Sequence, residues 1–395
     1  MSSKATILIA GGGLGGLTAA IACAQRGYKV EVFEQAPKLG EIGAGVQIGP
    51  SGFRVLEVLG LKEEILAFCY VPIGRQMFVW NTGYSSKPIL SGDVAAKYGL
   101  PVITMHRADL HAILVRALQA LQPDAIHIDS KVVAFEQTPD HVDVTLSNGG
   151  KVRGDALIGA DGLHSVVRHQ LFGASKARFT GGISWRGLIP FEQLPEEVRP
   201  VFGQVWVGLK GHFVTYRVRR GEFVNIVGHM ERDDWQVESW TELGTTEEML
   251  ADFAGWHSNI QTIIKNIEKP YKWGLFLHPT QKHWAVGRVA LLGDACHPTL
   301  PYLGYGANMA FEDGLVLARC LDAHDDIEAG LKRYEELRIP RTTEIVKQSA
   351  ANGNRFHSPD LGDPEKAKAY IDRESIEPDS LRDWLFSYDA SKIAV

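Results

Sequence analysis

The stretch TILIAGGGLGGLTAAIACAQRGYKVEVFE, Thr6 to Glu34, decides the fold. Ala5–Ala10 is an apolar run of strand length that stops at glycines. Leu14–Arg26 has apolar residues at helical spacing and ends at Gly27, and Lys29–Phe33 is a second apolar run. Strand, helix and strand in that order predict a βαβ unit and a parallel sheet. Gly11, Gly13 and Gly16 allow a tight turn and a close backbone approach to a pyrophosphate at the positive end of the helix. Leu14 and Gly15 belong to the same turn. Glu34 ends the second strand 18 residues after Gly16, where a carboxylate accepts a hydrogen bond from a ribose 2′-OH, and Gln35 adjoins it. The plainer alternative is a Gly-rich turn with no ligand. The pattern does not separate NAD from FAD, but the acid at 34 argues against a 2′-phosphate.

Outward from this unit, the chain has 395 residues, 45% hydrophobic and 22% charged, which is ordinary globular composition. A net charge of -6 gives no basic footprint for nucleic acid. No apolar run approaches the roughly 20 residues of a membrane span. The start reads as a strand and not a signal peptide. Four scattered cysteines without a CxxC predict neither a zinc site nor a disulfide framework, and fit a cytoplasmic protein. No His/Asp/Glu set has metal-ligand spacing. Residues 51–70 and Arg107–Leu121 read as helices, and 131–158 as short strands with a turn at Asn148-Gly149. VFGQVWVG, GHFVTYRV and EFVNIVGHM, between 201 and 230, predict an antiparallel sheet. Arg288–Leu292 reads as a strand, and 306–322 and 326–350 as helices. The expected division is a discontinuous nucleotide-binding domain (1–72, 100–175 and 275–350), an inserted sheet domain (73–99 and 176–274) and a C-terminal helical segment (351–395).

Two further stretches carry chemistry. In IGADGLHSVVR, 158–168, a strand ends at Gly159, Asp161-Gly162 turns, and Ser165 and Arg168 follow on a helix. In LLGDACHPTLPYLGYGANMAFEDG, 291–314, a strand stops at Gly293-Asp294 and an irregular loop leads into a helix. These stretches and GGGLGG, in this order, resemble the single-component FAD-dependent aromatic hydroxylases. The resemblance spans nearly the whole chain and includes the HRADL segment at 106–110. Within the family it is closest to the salicylate, 3-hydroxybenzoate and 6-hydroxynicotinate hydroxylases, through EIGAGVQIGP at 41–50 and HFVTY at 212–216.

The resemblance implies a mixed α/β fold like that of para-hydroxybenzoate hydroxylase: a Rossmann-like FAD domain with an inserted substrate sheet. It implies FAD as cofactor, NADH (or NADPH) and O2 as co-substrates, and oxygen transfer from a flavin hydroperoxide. It places Arg107 and Asp294 on FAD, and Asp161 and Arg168 near its pyrophosphate. The backbone of Gly304, Gly306, Ala307 and Asn308 would face the flavin, with Pro301 beside the ring. His297 would support the loop rather than the chemistry. The partner is a small aromatic acid, with neither nucleic acid nor membrane, and the chain is a monomer or homodimer.

For the substrate, His212 and Tyr216 lie four apart on a strand and share one face. An imidazole or phenol there takes the proton of a phenolic substrate and makes its ring electron-rich. The alternative is a pair satisfied by structural hydrogen bonds. Gln47, in a Gly-rich turn, and Tyr302 are the other expected substrate contacts. By the resemblance, 3-hydroxybenzoate enzymes carry Gln where Pro301 stands. Salicylate and 6-hydroxynicotinate enzymes carry Pro there but His where Tyr302 stands, and the 6-hydroxynicotinate enzymes have His at position 47. Salicylate 1-hydroxylation, giving catechol and CO2, is the first choice. Alternatives are 3-hydroxybenzoate 6-hydroxylation and 6-hydroxynicotinate 3-hydroxylation. Remoter ones are a non-hydroxylating flavoprotein and an NAD-dependent dehydrogenase.

Overall fold

The computed structural model describes residues 4–40, 45–174, 176–232, 234, 242–277, 279–374 and 380–395. The opening unit forms as strand Thr6–Ala10, helix Leu14–Ala24 and strand Lys29–Phe33. The two strands are the centre of a six-stranded sheet, flanked by Ala156–Gly159, Val289–Leu291 and Ile126–His127. All these ladders are parallel, and Ala285–Val286 adds an antiparallel edge. The central strands are buried on both faces, which is why they read as unbroken apolar runs. Helix Gly306–Ala323 packs on the first helix, where a Cβ on Gly314 would lie 2.8 Å from the Ala19 nitrogen.

The second large sheet has seven strands, in the order Tyr271–Leu277, Arg178–Pro190, Phe223–Glu231, Gly211–Val218, Gly203–Gly208, Gly74–Val79 and Ile89–Leu90. It is antiparallel except where Gly203–Gly208 runs parallel to Gly74–Val79. The chain passes through the nucleotide-binding part between those two strands, so a hairpin is not available and a parallel crossover is. One face buries Ile183, Trp185, Trp206, Phe213 and Ile226 against the helices Thr246–Asp252 and Ser258–Lys265. Each large side chain so buried contributes about 1.5–3 kcal/mol. The opposite face looks toward the glycine-rich loops.

Residues 50–70 form two helices, Pro50–Val58 and Lys62–Phe68, broken at Gly60, whose φ is +81°. The helix expected to end at 350 runs from Ile327 to Phe356, through Pro340. The C-terminal helix Ser380–Ser387 docks through Leu385, whose carbonyl accepts from the Tyr305 hydroxyl at 3.1 Å.

Candidate active site

A cavity of about 340 Å3 lies between the glycine loops and the seven-stranded sheet. Its upper wall is the first turn of Leu14–Ala24. A Cβ on Gly16 would come within 2.1 Å of the Gly11 carbonyl oxygen, and one on Gly11 within 2.3 Å of the Ala160 oxygen. A Cβ on Gly13 would meet no protein atom and would project into space that Gly13 itself lines. No side chain caps this helix and no acid stands in its first turn, so its N–H groups remain available to an anion. Helix Gly306–Ala323 likewise has an uncapped start without acids, following Gly304 at φ +62°. The two positive helix ends and Arg107 face one cavity. Burial lowers the Arg107 pKa while nearby Asp294 raises it. This wall fits an anionic, flat dinucleotide such as FAD.

The loop between Asp294 and Gly306 is shaped from behind. His297 is buried against Trp284 and is absent from the cavity lining. Its Nε2 lies 2.5 Å from Asp313 Oδ2, which also accepts from the Gly293 N–H at 3.3 Å. Asp313 pairs in turn with Arg338 at 2.7 Å, and Arg338 and Arg341 both pair with Glu312. Burial alone would raise both acids; the neighbouring Arg and His groups outweigh it and hold both below the usual carboxylate range. Ser349 Oγ donates to the Leu300 carbonyl at 2.6 Å and Asn352 Nδ2 to the Tyr302 carbonyl at 2.9 Å. Helix Ile327–Phe356 thus pins the segment that carries Pro301 and Tyr302.

The floor of the cavity is the sheet. Pairing places Ser184, His229, His212 and Val207 in one cross-strand row, and Arg186, Val227, Val214 and Val205 in the next. Tyr216 follows two residues beyond Val214 on the same face. An apolar strip therefore lies between two imidazoles on one flank and a phenol on the other, with a guanidinium at its end. Arg186 stacks on Trp273 at 4.3 Å, and burial lowers its pKa to about 10. Burial raises the Tyr216 pKa, opposed by Arg186. Burial, with the neighbouring imidazoles His229 and His357, pushes His212 well below the ordinary imidazole range. His229 falls to about 3, mainly through burial. Gly45 closes over this floor: a Cβ there would lie 2.5 Å from the Tyr216 ring, and its N–H donates to Asn225 at 2.7 Å.

Of the residues expected from the sequence, Gly13, Leu14, Gly15, Gly16, Gln47, Arg107, His212, Tyr216, Asp294, Pro301, Tyr302, Gly304, Gly306 and Ala307 all line this one cavity. The rest stand behind it. Gly11 makes the turn. Glu34 accepts from the Gly12 and Ala36 N–H groups, each at 2.8 Å, and Gln35 is exposed beside it. Asp161 Oδ2 accepts from Val166 at 2.7 Å and Val167 at 3.2 Å, while its buried Oδ1 makes no bond. Arg168 donates to the Ala295 carbonyl at 3.0 Å and to the Leu163 carbonyl at 2.5 Å, tying two cavity loops together. Asn308 bridges the Gly49 N–H at 2.9 Å and the Gln47 carbonyl at 3.2 Å. Residues 41–44 of the Gly-rich segment lie outside the described residues.

Sequence reasoning missed Arg186, His229 and Arg75, and read His111 only as a helix-face residue. The first three line the cavity. The buried His111 donates from Nε2 to the Gly12 carbonyl at 2.8 Å and steadies the first glycine turn. Helix periodicity could have flagged His111; the others needed the strand register.

The chain belongs to the FAD binding domain family, whose model matches residues 4–349. It is an FAD-dependent aromatic-ring monooxygenase. It is 35% identical to the 3-amino-4-hydroxybenzoate 2-monooxygenase PtnB3 of Streptomyces platensis, over 98% of this chain and 97% of the relative. It is 35% identical to 3-hydroxybenzoate 6-hydroxylase 1 of Aquipseudomonas alcaligenes, over 87% of each. A salicylate hydroxylase substrate complex matches with a TM-score of 0.82, covering 98% of this chain and 96% of that one. At 24% identity, that likeness speaks to the fold alone.

Proposed function

We propose that the enzyme hydroxylates a monocyclic aromatic acid bearing a ring hydroxyl, using NADH (or NADPH) and O2. The observation that carries this reading is the cavity floor: an apolar strip of Val205, Val214 and Val227 between His212 and Tyr216, with Arg186 at its end. The strip suits an aromatic face, and Arg186 suits a carboxylate through a charge-assisted hydrogen bond. His212 suits the ring hydroxyl. Taking that proton leaves a phenolate, whose charge enriches the ortho and para ring carbons and readies them for oxygen transfer. FAD bound along the glycine wall supplies the redox chemistry. The chain contributes the helix N–H groups and Arg107 for its charge, Arg186 for orientation, and the Leu300–Gly304 loop for excluding water.

Pro301 and Gln47 lean toward salicylate while Tyr302 departs from it, and two relatives at 35% identity are named for 3-amino-4-hydroxybenzoate and 3-hydroxybenzoate. The substrate proposed is therefore of the hydroxybenzoate class, with salicylate as one member. The test is a panel of salicylate, 3-hydroxybenzoate, 3-amino-4-hydroxybenzoate, 6-hydroxynicotinate and unsubstituted phenol, scored for NADH consumption and product mass. An acid should gain one oxygen atom, or in salicylate's case exchange CO2 for it, while phenol is turned over poorly. Equal turnover of phenol, or no product from any acid, would refute the reading.

A further inference from the structure

His212 lies in the wall of the cavity, but its hydrogen bonds lead away from it. Its Nδ1 is 2.8 Å from His357 Nε2, and His357 Nδ1 is 2.9 Å from Glu231 Oε1. The three groups run from inside to outside: His212 is 1% exposed, the His357 side chain 8% and the Glu231 side chain 51%. They come from three places in the chain. His212 is the second residue of the strand Gly211–Val218, Glu231 ends Phe223–Glu231, and His357 follows directly on the helix Ile327–Phe356.

The donors are assigned by chemistry. A carboxylate only accepts, so His357 Nδ1 carries a hydrogen toward Glu231. Neutral His357 then has a bare Nε2, so His212 donates to it from Nδ1. Neutral His212 is left with a lone pair on Nε2, the ring nitrogen not engaged with His357. Both rings thus hold the tautomer that accepts from the cavity side and donates toward the surface.

A histidine that keeps a proton here is poorly placed. The groups facing the His212 ring are His229 at 4.4 Å, His357 at 5.1 Å, Phe356 at 5.1 Å and Tyr302 at 5.4 Å between centroids. None of them is an acid, and burial disfavours an imidazolium among them. Glu231 is the acid on this chain, and it stands at the far end.

We propose that His357 and Glu231 form the proton exit of the reaction, carrying the substrate's phenolic proton from His212 to water. The proposal rests on the hydroxylase reading above. The substrate O–H bond breaks as an N–H bond forms at His212 Nε2. The Nδ1 proton of His212 passes to His357 Nε2, and the Nδ1 proton of His357 passes to Glu231, which releases it to solvent. The phenolate remains in the cavity, both rings stay neutral with reversed tautomers, and one proton has left. When the product is reprotonated, a proton taken up at Glu231 retraces the path and restores both tautomers. His357 and Glu231 act on the substrate only through His212 and are positioning residues for proton transfer.

The experiment mixes FAD-loaded enzyme with a turned-over hydroxybenzoate, without NADH, in weak buffer containing an indicator dye, and follows proton release by stopped flow. FAD retention and ligand affinity are measured alongside. His357→Phe should bind both normally and release the proton about 10²-fold more slowly. Glu231→Gln should slow it to a smaller degree, because surface water can receive a proton from His357. His357→Ala should be slow and be restored in part by free imidazole. Wild-type release rates in both His357→Phe and Glu231→Gln, or an absence of imidazole rescue, would overturn the exit. Should His357→Phe fold badly, the surface variant Glu231→Gln and the imidazole response decide. A wild type that releases the proton but forms no product sinks the hydroxylase reading and not the exit. Variants that hydroxylate and release as fast as wild type sink the exit and not the reading. A wild type that binds no phenolic acid sinks both.

Discussion

At the scale of single residues, His212 and Arg186 divide the work on the substrate, and each should fail in its own way. His212→Ala should retain FAD, because the residue lies on the sheet floor and not in the glycine wall. Loss of a positioned proton acceptor costs about 10²–10⁴-fold in rate. The loss should appear as NADH consumed without product, and raising pH should recover part of the coupling as free phenolate becomes abundant. The measurement is product per NADH across pH at saturating substrate; coupling equal to wild type throughout would return His212 to a structural role. Arg186→Gln should instead raise KM for the acid by about 10–100-fold, the equivalent of a charged hydrogen bond worth roughly 1.5–3 kcal/mol. Turnover of a phenol lacking the carboxylate should be little changed; an equal loss for both would remove Arg186 from carboxylate recognition. His212 and Tyr216 were legible because a strand repeats every two residues. Arg186 was not, since ISWRG identifies its face only once pairing with Val227 is known.

At the scale of elements, the long helix Ile327–Phe356 is the backing of the active-site loop. The sequence reading ends this helix at 350. In the structure Asn352 and Gly353 are packing positions inside the helix, and Pro340 lies exposed within it. The Tyr302 ring lies against Gly353, where a Cβ would come within 2.6 Å of it, and Asn352 holds the Tyr302 carbonyl. The helix therefore continues to Phe356 and delivers His357 to His212, which a helix ending at 350 would not. Gly353→Val should displace Tyr302 and lower hydroxylation while leaving FAD affinity near wild type; unchanged turnover would show that Tyr302 has no part in the site. The same helix carries Arg338, fully buried between Asp313 and Glu312. Arg338→Met leaves Asp313 without its guanidinium and Glu312 with Arg341 alone. Removing one partner of a buried pair costs about 3–5 kcal/mol. Denaturant unfolding that shows less than about 1 kcal/mol would mean that the network relaxes or admits water.

At the scale of the molecule, the glycine wall was readable from the first 34 residues because every step of that motif is local. The sheet was only partly readable. Its hairpins are local, but the parallel join of Gly203–Gly208 to Gly74–Val79 links strands more than 100 residues apart and has no sequence signal. The site forms where these two bodies meet, and that junction gathers imidazoles in surroundings that favour their neutral form. Burial depresses His106, His111, His212, His229 and His357 alike. An unfolded imidazole binds its proton near pH 6.5, whereas in the fold His229 does so only near 3. Between those values the unfolded chain holds more protons than the native one, so stability rises with pH and falls on acidification. Each strongly depressed imidazole contributes roughly 1 kcal/mol per pH unit within its window. Glu312 and Asp313, held below the usual carboxylate range, extend the loss in the same direction at lower pH. Thermal unfolding from pH 7.5 down to 5 should therefore show a falling Tm well before ordinary carboxylates titrate. His229→Phe, which removes one such group from the floor, should flatten the slope between pH 6.5 and 5 even if it lowers stability at pH 7.5. A Tm that is level or rises on acidification over that range would mean that the buried imidazoles accept protons in the folded state.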